Sequence, residues 1–295
     1  MTFIEFARAH GLVIDHLPPE GVWRRYKTTD KPQHKNGAAV YNGDYGHVQN
    51  HGTMQETALW QADGDAKVAP IDPAVAERRR DELRRQRIAG LRRARDLWVA
   101  GRPLNRLHPY IERKGLAALG CAVLRQHDGQ LLVPMWRGDA LMNVQRIEPD
   151  GAKRFVYGAP AKGSYLVLDR PRAALTALVE GLATGLAVFQ SVQQARDIVA
   201  FNTGNLIPVV EFLKPSGSVV MCGDDDHGTM ARRGFNPGRD AARNVADLIG
   251  CGVAFPEDIE GSDFADFLKE HGEGAARRME RHLLAHARYV PTAVP

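Results

Sequence analysis

The chain has 295 residues and a formal net charge of +4, with 44% of its residues hydrophobic and 25% charged. These values are typical of a soluble globular protein with room for about two domains. No apolar run approaches the roughly 18 residues that a transmembrane helix needs. The three cysteines lie far apart without a CxxC pair, so neither a disulfide framework nor a zinc ribbon is supported. The N-terminal stretch MTFIEFARAHGLVIDHL lacks the layout of a secretory signal, so we expect a cytoplasmic protein.

Residues 1–69 predict a small α+β module. Apolar residues in the first dozen positions fit one face of a short helix that ends at Gly11. The stretch that follows mixes aromatic and basic residues with Asn-Gly dipeptides at 36–37 and 42–43. This pattern indicates a small twisted sheet whose hairpins turn at those dipeptides.

Residues 70–98 predict a basic helical linker. The segment AERRRDELRRQRIAGLRRARDLW follows two prolines and holds the densest arginine cluster of the chain. Two interpretations stay open. The arginines either pair with acids of the same helix on a solvated face, or they form a surface that contacts phosphates.

Residues 99–163 predict a small mixed β subdomain with a basic face. A helical stretch that stops near Gly115 is followed by the short β patterns CAVLR, QLLVPMWRG, LMNVQRIEPDG and KRFVYG. Turn dipeptides at 128–129, 138–139 and 150–151 separate these patterns.

Residues 164–272 alternate between short buried strands and helices. The strand patterns are ALTALVEG, DIVAFN, SVVMCGDDD and CGVAFPED, and helices begin near Ala183, Leu206 and Asn236. This alternation predicts an α/β fold with a parallel sheet and helices on its faces. Residues 273–295 predict a C-terminal basic amphipathic helix, packed on this domain, and a tail.

Acidic residues follow three of the predicted strands. Glu180 follows LTALV, three aspartates at 224–226 follow SVVMCG, and Asp263 with Asp266 lies in GSDFADFL. Functional groups of parallel sheets collect where the strands end. Carboxylates that converge there provide the oxygen-rich site that Mg²⁺ or Mn²⁺ prefers. The sequence therefore predicts a divalent metal site.

The three acidic segments, in this order, resemble the Toprim domain of bacterial-type primases, topoisomerases and some nucleases. The matching segments are LVEGLATGLAV, VVMCGDDDHG with NPGRDAARNVA, and GSDFADFL, and the resemblance covers roughly residues 164–270. It implies a Rossmann-like parallel sheet with flanking helices. It also implies that Glu180, Asp224 and Asp226 are catalytic and bind Mg²⁺ or Mn²⁺ together with Asp263.

The chain departs from the Toprim pattern at two places, and one aspartate falls between the matched positions. Asp225 is the variable middle residue, which we expect to point away from the metal because neighbours in an extended chain face opposite sides. Ala265 stands where many relatives have a second acid, and Asp266 comes one residue later. Residues 229–237 form an insertion that we expect to make an extra loop over the site.

The segment that precedes these acids resembles the corresponding region of bacterial-type primases, especially those of plasmids and phages. The similar parts are HPYIERKGL and a later Q-x-I…G-x-K-R-F pattern, which includes Gln145. The resemblance implies a basic face that binds nucleotide or template phosphates. The residues so implicated are Lys153, Arg154, Lys162 and Arg146 for nucleotide phosphates, and Arg113 for the template. The alternative is a set of edge-strand charges that keep the sheet soluble.

The N-terminal module resembles one found ahead of this core in plasmid and phage primases. We predict no zinc site in it, because no cysteine precedes Cys121, and His47 and His51 lack thiolate partners. The module is a candidate for template binding through base stacking and basic side chains. The candidate residues are Trp23, Arg24, Arg25 and Tyr26.

These resemblances imply a DNA primase, a nucleotidyltransferase that makes RNA primers for DNA replication of a plasmid, phage or integrative element. Its catalysis would rest on positioning and on charge neutralisation by a divalent metal. The expected partners are single-stranded DNA, nucleoside triphosphates, and a separately encoded helicase or other replication protein, since no GxxxxGK[ST] motif is present. Two alternatives stay open. One is a Toprim-type metal-dependent nuclease, and the other is a non-catalytic protein that binds single-stranded DNA and recruits a helicase.

Overall fold

The computed structural model of the chain describes residues 1–54, 56–62, 73–104, 108–116 and 121–292. Its side-chain description leaves out residues 73–76, 79, 121 and 233. The chain divides into two compact units, Met1–Arg80 and Asp81–Pro295.

The first unit contains one helix and a five-stranded antiparallel sheet. The helix α1 spans Phe3–Ala9, and Thr2 caps it by accepting a hydrogen bond from the Glu5 amide while the Glu5 carboxylate accepts one from the Thr2 amide. The strands, which lie side by side in chain order, are β1 Leu12–Val13, β2 Arg24–Thr28, β3 Gly37–Tyr41, β4 Tyr45–Asn50 and β5 Ala58–Gln61. Phe3 packs with Trp60 in a core between α1 and one face of the sheet. The predicted helix and twisted sheet are therefore both present.

One of the two predicted hairpin turns in this unit is wrong. Gly43 has a φ of +79° and lies in the loop between β3 and β4, as predicted. Gly37 instead opens β3, where a Cβ would lie 2.8 Å from the Leu12 Cγ. Close packing against Leu12, rather than a turn, therefore requires glycine at this position.

The second unit begins within a long helix that leads into a second antiparallel sheet. The helix α2 spans Pro73–Ala100, in agreement with the predicted basic helix, and its side chains at 81–89 are exposed. The following elements are β6 Arg102–Pro103, α3 Pro109–Arg113, β7 Arg125–His127, β8 Gln130–Arg137, β9 Ala140–Ile147 and β10 Lys153–Phe155. The strand order is β10-β9-β8-β7-β6.

Helix α2 packs closely on one face of this sheet. Ala94 is fully buried in a cluster with Leu132 and Val144. At Gly90 a Cβ would lie 2.2 Å from the backbone of Gly158, so only glycine allows the helix to approach this segment so closely.

The third sheet has the predicted parallel α/β architecture. Its elements are β11 Leu166–Leu168, β12 Leu175–Val179, α4 Leu182–Ser191, β13 Ala195–Val199, α5 Thr203–Leu213, β14 Gly217–Cys222, α6 His227–Arg233, α7 Pro237–Ile249, β15 Gly252–Ala254, α8 Phe264–His271, α9 Ala275–His286 and β16 Arg288–Val290. The strand order is β11-β13-β12-β14-β15, with β13, β12, β14 and β15 mutually parallel. Two antiparallel strands, β11, which pairs with β13, and β16, which pairs with β14, were not predicted.

One hydrophobic core joins the second and third sheets. Leu131 and Ile147 of the second sheet belong to the same buried cluster as Val179, Leu186 and Met279 of the α/β region. Met279 lies on α9, so the C-terminal helix packs on this domain as predicted.

Two of the three cysteines lie in the described interior. Cys222 and Cys251 are buried and unbridged, as expected for small apolar side chains. The side chain of Cys121 lies outside the described part.

Candidate active site

The predicted acids lie at the carboxyl edge of the parallel sheet. Glu180 follows β12, and the three aspartates at 224–226 follow the adjacent strand β14. Asp263 is the N-cap of α8, and the Ser262 carbonyl accepts a hydrogen bond from the Asp225 amide over 2.7 Å. This backbone contact joins the second and third acidic segments.

Four of these carboxylates are close enough to influence one another. Burial raises the pKa of Asp224 well above its ordinary value, and the charges of Glu180, Asp263 and Asp226 raise it further. The Thr184 hydroxyl donates to Asp224 over 3.2 Å and opposes this shift.

Glu180 shows the same effect. Burial raises its pKa, the charge of Asp226 adds to the shift, and Lys153 together with the backbone amide of Thr203 opposes it. Both shifts are those expected of carboxylates that are partly withdrawn from solvent and lie near one another.

Asp225 is bound away from this group. Its Oδ1 accepts from Arg239 Nε and its Oδ2 from Arg239 Nη2, each over 2.8 Å, and Asn236 Nδ2 donates to Oδ1 over 2.7 Å. The hydrogen bonds from Arg239 lower the pKa of Asp225. The middle aspartate thus anchors the acidic segment to the start of α7.

Asp226 is held by the same helix start from the other side. Its Oδ2 accepts from the Gly238 amide over 3.1 Å, and its own amide donates to Asn236 Oδ1. A Cβ on Gly238 would lie 2.5 Å from the Asp224 carbonyl oxygen, so glycine is required for this approach. The positive end of the α7 dipole therefore lies beside the acids.

The predicted insertion begins with a helix rather than with a loop. Residues His227–Arg233 form α6, whose N-cap is Asp226. His227 Nε2 lies 2.9 Å from the Glu260 carbonyl oxygen, which links the start of this helix to the segment before Asp263.

Lys114 is a site residue that sequence reasoning missed. Its ammonium donates to Asp263 Oδ2 over 2.9 Å and to Asp266 Oδ1 over 3.0 Å. Burial alone would lower the pKa of Lys114, but the charge and hydrogen bonds of the two aspartates outweigh burial and raise it. Its place directly after the basic end of α3 was the one available signal.

The predicted phosphate-binding residues lie on opposite faces of the second sheet. Lys153 pairs with Ile147 across the two strands, and Arg154 pairs with Arg146. Directly opposed residues share a face. Ile147 belongs to the core shared with the third sheet, whereas Leu132, which is opposite Arg146, belongs to the cluster under α2. Of the predicted phosphate-binding residues on β9 and β10, Lys153 is therefore the one on the face that packs against the third sheet, where the acids lie.

Distances and pairing support this orientation of Lys153. Its Nζ lies 3.8 Å from the position that a Cβ would take on Gly181, the residue after Glu180.

Arg146 Nε is buried and has no hydrogen-bond partner among the described residues.

Arg113 and Lys162 lie apart from the acids. Arg113 donates to the Pro149 carbonyl, which fixes it to the turn between β9 and β10. Lys162 lines a cavity of about 480 Å³. The cavity is lined by Arg87, Arg137, Pro160, Lys162, Gly163, Pro208, Glu211 and Phe212. Its wall thus carries three cations and one acid.

The template candidates in the first unit also divide between two faces. Tyr26 packs against the core, and Arg24 pairs with the core residue Ala39, so both belong to the face that α1 covers. Trp23 and Arg25 alternate with them and lie on the other face. Trp23 is 51% exposed, and its ring is stacked on His47 with centroids 6.4 Å apart.

No group of three His, Cys, Asp or Glu side chains within the described ranges is gathered tightly enough to hold a metal ion. The acids interact electrostatically without converging on one point. None of the helices in the described part of the chain is long and apolar enough to cross a membrane.

Comparisons with known proteins bear on the resemblance found in the sequence. No protein-family model matches the chain. A DNA primase TraC of Escherichia coli is 31% identical over 278 residues, which cover 86% of this chain and 26% of the relative. Another DNA primase TraC of Escherichia coli is 32% identical over 211 residues, which cover 68% of this chain and 14% of the relative. The chain thus spans about a quarter or less of the length of the curated relatives it matches.

Two solved primase structures have a weaker likeness to the chain. The primase fragment of the bacteriophage T7 primase-helicase protein has a TM-score of 0.44 and 12% identity, over 61% of this chain and 74% of that one. The DnaG primase catalytic domain bound to ssDNA has a TM-score of 0.41 and 12% identity, over 68% of this chain and 82% of that one. Neither likeness is close enough to support an inference about this chain. Over most of its length the chain is therefore similar in sequence to one segment of the DNA primases named TraC, which confirms the resemblance to plasmid-type primases.

Proposed function

We propose that this chain is the catalytic part of a DNA primase, which synthesises short RNA primers on single-stranded DNA from nucleoside triphosphates. The observation that carries the proposal is the group of part-buried, interacting carboxylates around Asp224, with Lys153 of the neighbouring sheet beside Glu180. The identity to TraC primases over 86% of the chain supports the same reaction.

The acids would serve a Toprim domain over residues 164–272. The parallel strand order and the acids at the carboxyl ends of β12 and β14 support this assignment. Residues 99–163 would form the basic subdomain of the primase core, 70–98 the basic helical segment that leads into it, and 1–69 a template-binding module.

The carboxylates would hold Mg²⁺ or Mn²⁺. Asp224 and Asp226, with Glu180 and Asp263 next to them, offer the oxygen ligands that these ions prefer. Burial and the neighbouring like charges raise the pKa of Asp224, and a bound cation would offset the repulsion between these carboxylates. Such an ion would neutralise charge on the reacting phosphates.

The chain's own groups would position the reactants. The primer 3′-oxygen forms a bond to the α-phosphorus of the incoming nucleotide, the bond to the bridging oxygen breaks, and pyrophosphate leaves. Glu180 is either a further metal ligand or the group that accepts the proton of the 3′-hydroxyl, a role that its raised pKa suits. Lys153 would contact the triphosphate, because it faces the acids.

The remaining basic residues would bind polynucleotide away from the reaction centre. Arg146 and Arg154 lie on the face opposite Lys153, and Lys162 lies in the basic cavity. Arg113 would support the turn between β9 and β10 through its bond to Pro149. Unwinding would come from a separately encoded helicase or other replication protein.

One assay distinguishes priming from the two alternatives. The full chain is incubated with single-stranded DNA, labelled ribonucleotides and Mg²⁺ or Mn²⁺, with Asp224→Ala as the inactive variant and Asp225→Asn as the matched control. We expect metal-dependent oligoribonucleotides that the first variant does not make and the second does. Shortened template would instead indicate a nuclease, and DNA binding without either product would contradict both enzymes.

A further inference from the structure

All four oxygens of the Asp263 and Asp266 carboxylates have hydrogen-bond partners from the chain itself. Asp263 Oδ1 accepts from the Asp266 amide over 2.8 Å, and Asp266 Oδ2 accepts from the Ser262 amide over 3.1 Å. The two remaining oxygens share the Lys114 ammonium, at 2.9 and 3.0 Å. The ammonium therefore lies where a cation bridging these two acids would lie.

The other acids of the site have no such partner. Among the described residues, Glu180, Asp224 and Asp226 accept no hydrogen bond from a lysine or arginine. Burial raises the pKa of Asp224, and the charges of Glu180, Asp263 and Asp226 raise it further. The chain thus binds both carboxylates of one half of the site with an ammonium, whereas in the other half Lys153 acts on Glu180 through its charge.

We propose that Lys114 is a built-in cation that replaces a metal ion at the Asp263–Asp266 half of the site. This inference rests on the proposed function. It leaves Glu180, Asp224 and Asp226 as the acids of the proposed divalent-metal site, and it makes Asp263 a partner of Lys114 rather than a metal ligand.

The local sequence explains why one ammonium fits both acids. Asp263 is the N-cap of α8 and Asp266 lies three residues later in its first turn. Residues three apart on a helix lie on the same side. Ala265 stands where many Toprim domains have a second acid, and Asp266 follows one position later. This shift by one residue places the second carboxylate on the side of the helix that faces the ammonium.

Lys114 is also held firmly in place. It is the C-cap of α3, whose residues Tyr110 and Ile111 are buried in the core that the second and third sheets share. A divalent ion would have to displace an ammonium that two carboxylates hold, in a part-buried site where such charge-assisted bonds are strong. The lysine thus reaches the acids from a different sheet region, which makes it a positioning residue for Asp263.

Counting bound Mn²⁺ on the full chain by electron paramagnetic resonance, without DNA or nucleotide, tests this inference. We expect Lys114→Met to bind one more Mn²⁺ per chain than the wild type, because two carboxylates lose their cation. The matched variant Lys114→Arg keeps the charge and should bind the wild-type number. Adding Asp266→Asn to Lys114→Met should remove the extra ion.

Equal Mn²⁺ numbers for Lys114→Met and the wild type would overturn the inference. Asp263→Asn in the wild type gives a second route should Lys114→Met fail to fold, as judged by circular dichroism. We expect it to leave the Mn²⁺ number unchanged, and the loss of one ion would show that Asp263 is itself a ligand. If Asp224→Asn loses no Mn²⁺, the metal site of the proposed function fails, while the comparison at Lys114 still stands.

Discussion

Arg239 binds Asp225 with two parallel hydrogen bonds of 2.8 Å, and so removes the middle aspartate from a row of three. The strand-end alternation predicted that Asp225 points away from the neighbouring acids, but not what it contacts. The contact joins the acidic segment to the first turn of α7, so Asp225 has a structural role.

We therefore predict that Asp225→Asn keeps most of the priming activity, whereas Asp224→Asn and Asp226→Asn abolish it. Asp225→Asn should lower the free energy of unfolding by about 1 kcal/mol, since it removes the ion pair with Arg239. The effect is small because Arg239 is partly exposed and solvent screens the pair. Primer synthesis and urea unfolding measure the two effects. Equal loss of activity in all three variants would contradict this geometry.

Replacing Asp224 should have the opposite effects to replacing Asp225, because activity is lost while stability rises. Burial and neighbouring carboxylates raise its pKa, so the folded state binds its proton more tightly than the unfolded state does. Stability is then fully present at acidic pH and is lost as the pH rises above the ordinary aspartate pKa of about 3.9. Asp224→Asn has no carboxyl to ionise and avoids this loss.

In the presence of a chelator we expect Asp224→Asn to melt about 2–4 °C above the wild type at neutral pH, the shift that about 1 kcal/mol gives in a domain of this size. The difference should shrink towards pH 4. Added Mg²⁺ should raise the melting temperature of the wild type only. Calorimetry across this pH range, with Asp225→Asn as the control, checks the sign, and a variant that melts below the wild type would disprove it.

Glu180 and the aspartates at 224–226 could be predicted from the sequence because they follow apolar runs typical of buried strands, whereas Asp263 follows a loop and caps α8. Strand ends of a parallel sheet meet at one edge, so Glu180 and Asp224 were expected together. The contact between Lys114 and Asp263 could not be predicted, since 149 residues separate the two and no local sequence pattern encodes it. The short strand β16 was missed because three residues next to a helix show no period.

The faces of the basic residues were predictable but were not predicted. The alternation applied to Asp225 also separates Lys153 from Arg154, which are neighbours on β10. The two side chains therefore lie on opposite faces of the sheet. Packing between the sheets determines which of these two side chains points towards the acids, and only the structure shows that packing.

Lys153 and Arg154 should therefore differ in kinetics. We predict that Lys153→Met lowers kcat at least tenfold with little change in affinity for single-stranded DNA, because it removes a cation beside Glu180. Arg154→Met should instead weaken DNA binding and leave kcat near the wild-type value. Steady-state priming and fluorescence anisotropy separate the two, and identical kinetic defects would show that they act together.

The basic cavity offers a test of polynucleotide binding. Arg137→Gln and Lys162→Gln each remove one cation from its wall. If each contacts a phosphate, the slope of log affinity for single-stranded DNA against log salt falls by about 1 per variant. Glu211→Gln, which removes the acid of the same wall, should strengthen binding. A free triphosphate that competes equally at all salt concentrations would instead identify a nucleotide site.

Trp23 and Tyr26 test whether the open face of the first sheet stacks on DNA bases. Trp23 is exposed beside Arg25, whereas Tyr26 packs in the core. We predict that Trp23→Ala weakens binding of single-stranded DNA by about 1–3 kcal/mol, the usual value for one stacked base, with no loss of stability. Tyr26→Ala should lower stability instead. Anisotropy and thermal melting on the full chain separate the effects, and unchanged DNA affinity in Trp23→Ala would remove this face from the template path.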